Sequence, residues 1–300
     1  MVQLHLRTVI IAGIDIGSNA ARLLISKATN YKKGQIDFNK INLVRIPLQL
    51  GIDVFQNGEI GTQKAENFIK TMETFKTLME IYEVDHYRAV ATSAMRDAKN
   101  GESIARKIKK RTGIDIEIIS GQEEASILYE NHLSHYLVSG DRQLFIDVGG
   151  GSTEITLYVD NTVVQKQSFN IGTIRMLNEQ VDANHWQEMK SFVKQNIKGI
   201  EGLQAIGSGG NINKLFSMSK TKEGSPLSYR FIQQQHKKMA HLSVEERIHE
   251  FNLRMDRASV IVPAMNIYLS IMKWGDIKQI YVPKIGLADA IVKHLYYSIK

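Results

Sequence analysis

The sequence predicts an α/β protein built from two similar halves, and three observations carry that prediction. The stretch GIDIGSNAARLLI (13–25) reads as strand, tight turn, strand, and FIDVGGGSTEITL (145–157) repeats the plan with Asp and Gly in corresponding places. Stretches of strand character alternate with stretches of helical periodicity, the pattern of sheets covered by helices. The 300 residues, 43% of them hydrophobic, suffice for two domains with cores of their own. A boundary is expected near residues 125–140, which divides the chain into 1–127 and 128–300, with the C-terminal helix able to pack back on the first half.

In chain order, the opening glycine turn leads into a strand. A P-loop or a dinucleotide-binding fingerprint would instead open a helix. Residues 64–82 place Phe68, Met72, Phe75 and Met79 on one helical face, a core-facing stripe. HYRAVATSA is expected as a buried strand, GESIARKIKKRTG as a short basic helix closed by Gly113, and DIEIIS as a further strand. In SGQEEASILYENHL, Ser120 and Glu123 have the spacing of a capping box, which gives Glu123 a structural role and leaves Glu124 without one. RQLFIDVGGGSTEITLYVD forms the second hairpin and VVQKQSFNIG another strand. LQAIGSGGNINKLFSM reads as strand, Gly-rich loop and helix. The last third is mostly amphipathic helix, interrupted by the strand KQIYVPKIG.

Composition narrows the function classes. The chain has no cysteine, which excludes disulfides and cysteine-ligated zinc and agrees with a cytoplasmic location. No apolar run is long enough to span a bilayer, and the N-terminus lacks a signal-peptide cleavage site, so no membrane role is expected. A net charge of +7 favours polyanionic partners. No aromatic and basic module accompanies that charge, so nucleic acid is not the expected partner.

The hairpins suggest the chemistry. If the second turns at Gly150 and Gly151, a pair suited to positive φ, then Gly149 faces Ser152, Val148 faces Thr153 and Asp147 faces Glu154. Two carboxylates so placed have Cβ atoms roughly 5 Å apart and repel, a conflict that a hard divalent cation between them would relieve. The same count on the first hairpin, turning at Ser18 and Asn19, puts Asp15 opposite Arg22, a complementary pair. The backbone of Gly149 to Thr153 and the hydroxyls of Ser152 and Thr153 can cradle phosphate oxygens.

Seven motifs in order, GIDIGSNAARLLI, ATSAMRDAKN, ISGQEEA, FIDVGGGSTEI, NIGTIRM, IGSGGN and DRASVIVP, resemble the exopolyphosphatase and guanosine pentaphosphate phosphohydrolase family over nearly the whole chain. The resemblance implies two ribonuclease H-like domains, as in the superfamily of actin, sugar kinases and heat-shock ATPases, flanking a phosphate-binding cleft. It implies metal-dependent hydrolysis of the terminal phosphoanhydride of inorganic polyphosphate or guanosine pentaphosphate, with Mg²⁺ or Mn²⁺, by a cytoplasmic protein, with a homodimer expected. Carried over by position, Glu124 is the expected base, and Asp147 and Glu154 are the acids at the metal, where Asp15 is also counted. Ser18, Asn19, Arg22, Arg96, Gly149, Gly150, Gly151, Ser152, Thr153 and, in the third loop, Gly209, Gly210 and Asn211 are the expected phosphate contacts. Arg175 matches a family arginine.

The sequence departs from the family pattern at Ser126, where arginine is usual, at Asn211, and at Ala288 and Ala290, where arginine and glycine are frequent. These changes bear on substrate length and affinity. No His is followed by Asp, so the HD-type metal centre of longer relatives is not expected. The competing readings are a kinase or ATPase of the same superfamily and a non-catalytic polyphosphate or nucleotide sensor. No sugar-recognition segment supports the first, and retention of Glu124, Asp147 and Glu154 speaks against the second.

Overall fold

The computed structural model describes residues 8–32, 35–124, 126–127, 142–160, 162–283 and 286–299. The chain divides into two compact units, Met1–His132 with Leu287–Lys300, and Leu133–Gly286.

In the first unit β1 (Thr8–Ile16), β2 (Ala21–Lys32) and β3 (Gln35–Ile46) form an antiparallel meander. To it β4 (His86–Ala91) and β5 (Ile116–Ile118) add in parallel, giving the order β3-β2-β1-β4-β5. Between β3 and β4 lie α1 (Leu50–Asn57) and α2 (Thr62–Ile81), and Phe68, Met72, Phe75 and Met79 are buried along α2 as its periodicity predicts. The strand expected over HYRAVATSA stops at Ala91. Ser93–Asp97 is instead a short helix, α3, begun by the bond from Arg96 N–H to the Thr92 carbonyl. The basic helix α4 (Gly101–Thr112) ends at Gly113 in the left-handed region, φ 77°, with its N–H on the Lys109 carbonyl. A further helix, α5, begins at residues 121–124. The expected domain boundary falls largely outside the described residues.

The second unit repeats the plan. Strands β6 (Arg142–Val148), β7 (Thr153–Val159) and β8 (Thr162–Phe169) form the meander. β9 (Gln204–Ser208) pairs with β6 in parallel, and β10 (Leu227–Ser228) and β11 (Gln279–Tyr281) complete the sheet. Read from its far edge, the order β8-β7-β6-β9-β11 reproduces that of the first sheet, as two similar α/β halves require. The helices α6 (Thr173–Leu177), α7 (Ala183–Asn196), α8 (Gly210–Ser219), α9 (Tyr229–Ala240), α10 (Val244–Phe251), α11 (Met255–Ala258) and α12 (Ile261–Trp274) follow their strands. Alternate residues Leu144, Ile146 and Val148 of β6 join Ile155 and Leu157 of β7 in one core with Met189, Leu215, Met265 and Tyr268. Burial of each such side chain contributes about 2 kcal/mol.

The last helix, α13 (Leu287–Ser298), packs on β1, β2 and β4 of the first unit. Its approach is close: a Cβ on Gly13 would lie 2.6 Å from the Ala288 carbonyl oxygen. Ala288 and Ala290 are both buried in this contact. The two departures from the family pattern therefore sit in a helix-to-sheet interface, where a larger residue at position 288 would lift α13 off the sheet.

Candidate functional site

Each unit carries one hairpin turn of the same construction. In the first, Gly17 N–H donates to the Ala20 carbonyl at 3.1 Å; in the second, Gly149 N–H donates to the Ser152 carbonyl at 2.9 Å. The cross-strand partners are those counted from the sequence, Asp15 with Arg22 and Asp147 with Glu154.

The glycine triplet reaches this geometry differently from the tight turn expected. None of Gly149, Gly150 and Gly151 has positive φ. The Gly149 carbonyl, which would close a two-residue turn, accepts instead from Thr173 N–H at 3.0 Å. The Gly150 carbonyl accepts from Ile174 N–H at 2.8 Å, and the Gly151 carbonyl from Nε of Arg175 at 2.8 Å. Three consecutive carbonyls thus point at the start of α6. A trans peptide sets N–H antiparallel to C=O, so the amides of Gly150, Gly151 and Ser152 point to the opposite side as a row of donors. The glycines are needed for proximity: a Cβ on Gly172 would lie 2.4 Å from both the Gly150 oxygen and the Gly151 carbonyl carbon. In the first unit the Ser18 and Asn19 carbonyls accept from Gly51 and Gln49 N–H, which turns the amides of Asn19 and Ala20 away from α1 by the same reasoning.

Beside the glycine turn a polar row crosses four strands: Ser208 on β9, Asp147 on β6, Glu154 on β7 and Ser168 on β8, each paired with the next. Ser208 donates to Asp147 Oδ1 at 2.5 Å; Ser152 and Ser168 donate to Glu154 Oε1 at 2.6 and 2.8 Å. Lys166, one pair along β8, faces the same side; burial lowers its pKa and the Glu154 charge opposes that. Gly209, in the left-handed region at φ 109°, brings the start of α8 against Asp147, where an added Cβ would meet Asp147 Oδ1 at 3.3 Å. The repulsion predicted for two facing carboxylates is therefore offset by serine hydroxyls and a lysine as well as by any cation.

Two such carboxylates suit a magnesium-like ion, which takes one or two carboxylates and completes its shell with water and phosphate oxygens. Among the described residues no group of three or more His, Cys, Asp or Glu is close enough to hold a metal. Asp15, the third acid expected there, is buried and ion-paired with Arg22 at 2.5 Å, so its charge is already balanced.

The remaining expected contacts have definite places. Ser18 is buried, its hydroxyl 2.7 Å from that of Ser93. Thr153 is fully buried and donates its hydroxyl proton to the Ile171 carbonyl at 2.6 Å, so it anchors the turn from within the fold. Asn211 accepts from Arg257 at 3.0 Å, which fastens α8 to α11. Arg96, about a third exposed, donates to the Ile119 carbonyl at 2.9 Å and braces the entry to α5. Ser120 accepts from Glu123 N–H at 3.1 Å, as a cap should, and the Glu123 carboxylate reaches Arg88, which also holds Glu117. Glu124 follows in the same helical turn, its N–H on the Ser120 carbonyl. Ser208, Ser168 and Arg88 were not anticipated. Only Ser208 had a local signal, as the serine of IGSGGN.

A model of the Ppx/GppA phosphatase family matches residues 31–295. Among curated proteins the chain is 32% identical over 208 residues to a bifunctional 3-dehydroquinate synthase/phosphatase of Fusobacterium nucleatum, covering 65% of this chain and 31% of that one. It is 28% identical over 166 residues to Exopolyphosphatase 1 of Mycobacterium tuberculosis, covering 55% and 47%. It spans less than half of each of these two relatives. A putative exopolyphosphatase of Haemophilus influenzae is 25% identical with 95% and 91% covered. Among solved structures, an exopolyphosphatase from Cytophaga hutchinsonii superposes with a TM-score of 0.84 at 22% identity, covering 98% and 99%. An Aquifex aeolicus Ppx/GppA protein gives 0.76 at 24%, covering 98% and 100%, so the fold is the same.

Proposed function

Because the chain belongs to the Ppx/GppA phosphatase family, we propose that it hydrolyses the terminal phosphoanhydride of inorganic polyphosphate, and of guanosine pentaphosphate by the same chemistry. The observation that carries this reading is the row of amides at Gly150, Gly151 and Ser152, aimed away from α6 because the preceding carbonyls are bound to it. Phosphoryl transfer spreads negative charge over the equatorial oxygens of its transition state, and preorganised N–H donors stabilise that charge without reorganising. Ser18, Asn19 and Arg22 of the first hairpin are proposed as further phosphate contacts. Glu124 is the proposed general base, orienting and deprotonating the attacking water. Asp147 and Glu154 would hold Mg²⁺ or Mn²⁺, which when bound neutralises charge on the phosphates. The names of the Mycobacterium and Haemophilus relatives support polyphosphate as substrate, and a Pseudoalteromonas atlantica relative named guanosine-5'-triphosphate,3'-diphosphate pyrophosphatase supports the nucleotide. The proposal includes a cytoplasmic homodimer acting without nucleic acid or a membrane. Among the described residues no helix is long and apolar enough to cross a bilayer.

The test is phosphate release from polyphosphate, guanosine pentaphosphate and ATP assayed side by side, with Glu124→Ala as control. Release from the first two, lowered about 10²- to 10⁴-fold in the variant, is expected. Transfer to a sugar without free phosphate would identify a kinase, and tight binding without turnover a sensor; either outcome overturns the reading.

A further inference from the structure

We propose that Arg175 is a positioning residue that aims the Ser152 amide at the transferred phosphate, rather than an anion ligand itself. The proposal rests on the reading that the glycine turn binds substrate phosphate. Nε–H of Arg175 donates to the Gly151 carbonyl at 2.8 Å, while its backbone N–H lies 3.3 Å from the Gly150 carbonyl. The first two carbonyls of the triplet are held by the backbone of residues 173–175, which any side chain there would supply. The third is held by this one side chain. Its peptide plane, Gly151 to Ser152, carries the last of the three outward amides. The same plane is fixed from its other end, because the Ser152 hydroxyl donates to Glu154.

A bond from a guanidinium is charge-assisted, and it polarises the peptide so that the N–H on the far side becomes a stronger donor. The cation thus acts on the phosphate through a peptide. Lysine cannot reproduce this, since it offers a mobile point charge in place of a planar, directed Nε–H.

The experiment compares the parent with Arg175→Ala and Arg175→Lys. For Arg175→Ala, kcat on polyphosphate should fall about 10- to 100-fold while KM changes less than about threefold, a loss confined to the transition state. Millimolar methylguanidinium should restore part of that rate and leave the parent unaffected, and Arg175→Lys should restore little. A rise in KM alone would make Arg175 a direct ligand, and a kcat within about twofold of the parent, or full activity in Arg175→Lys, would equally overturn the proposal. A second arm needs no turnover: titration with inorganic phosphate, followed by the amide ¹⁵N–¹H resonances of Gly150, Gly151 and Ser152. The parent should respond at all three, and the variants should lose the Ser152 response. An inactive parent whose turn amides still respond overturns the hydrolase reading alone. Variants that keep the Ser152 response overturn the role of Arg175, and a parent with no response overturns both.

Discussion

Tyr268 is fully buried in the core of the second unit, and its hydroxyl donates to the Ser208 carbonyl at 2.5 Å, at the end of β9 where the polar row begins. Burial and the nearby Asp147 charge raise its pKa well above the ordinary value, so it remains a donor throughout the physiological range. Tyr268→Phe leaves the Ser208 carbonyl without this donor and should cost about 1–3 kcal/mol in urea unfolding. A change below about 0.5 kcal/mol would show that the bond is dispensable. At this scale the sequence was only partly legible. Ser152 and Thr153 carry the same functional group, yet strand alternation sends Ser152 to the Glu154 side and Thr153 to the opposite one, where it meets Ile171. The hairpin count predicted the facing carboxylates correctly but had no means of finding the serines bound to them.

The element that shapes the glycine turn is α6, a helix of only five residues whose leading N–H groups find acceptors in the turn's carbonyls. Gly172 permits the approach. Gly172→Ala would drive a methyl into the Gly150 and Gly151 backbone and should lower phosphate release at least tenfold, with the far-UV circular dichroism of the parent retained. A fully active variant would mean that the turn tolerates displacement. Sequence patterns give no direct sign of this contact, because it joins residues more than twenty positions apart and is made mostly through backbone atoms. The neighbouring strand illustrates a second limit. Counted outward from the β7 to β8 turn, Glu154 would face Gln167; a bulge between Leu157 and Tyr158 shifts the register by one and brings Ser168 opposite instead. The strand β3, QIDFNKINLVRI, is hidden in the sequence because its alternation changes phase at Asn39 and Lys40, which leaves Ile41 and Leu43 exposed.

Over the whole molecule, the last fourteen residues return to the unit formed by the first 132. On α13, Lys293 lies half-buried with its Nζ 5.8 Å from the centre of the Phe38 ring. Burial lowers its pKa to about 8, against the opposing pull of Asp289. In the unfolded chain the lysine keeps its proton until about pH 10.4. Between these values the unfolded state binds more protons, so this group makes stability rise with pH, and below pH 8 the folded state carries the full cost of the buried charge. Lys293→Met should therefore raise Tm at pH 7, with the gain shrinking from pH 8 to pH 10. A pH-independent gain, or a loss at pH 7, would refute the assignment. By itself the sequence determined what is local: the α/β class, the two matching hairpins, the register that pairs Asp15 with Arg22 and Asp147 with Glu154, and the ends of helices such as α4. These follow from side-chain alternation, turn chemistry and capping within a few residues. The tertiary structure alone decided which groups complete them, Ser208 and Ser168 on the carboxylates and α6 with the Arg175 side chain behind the glycines, because each of those contacts is made between segments that the chain brings together only by folding.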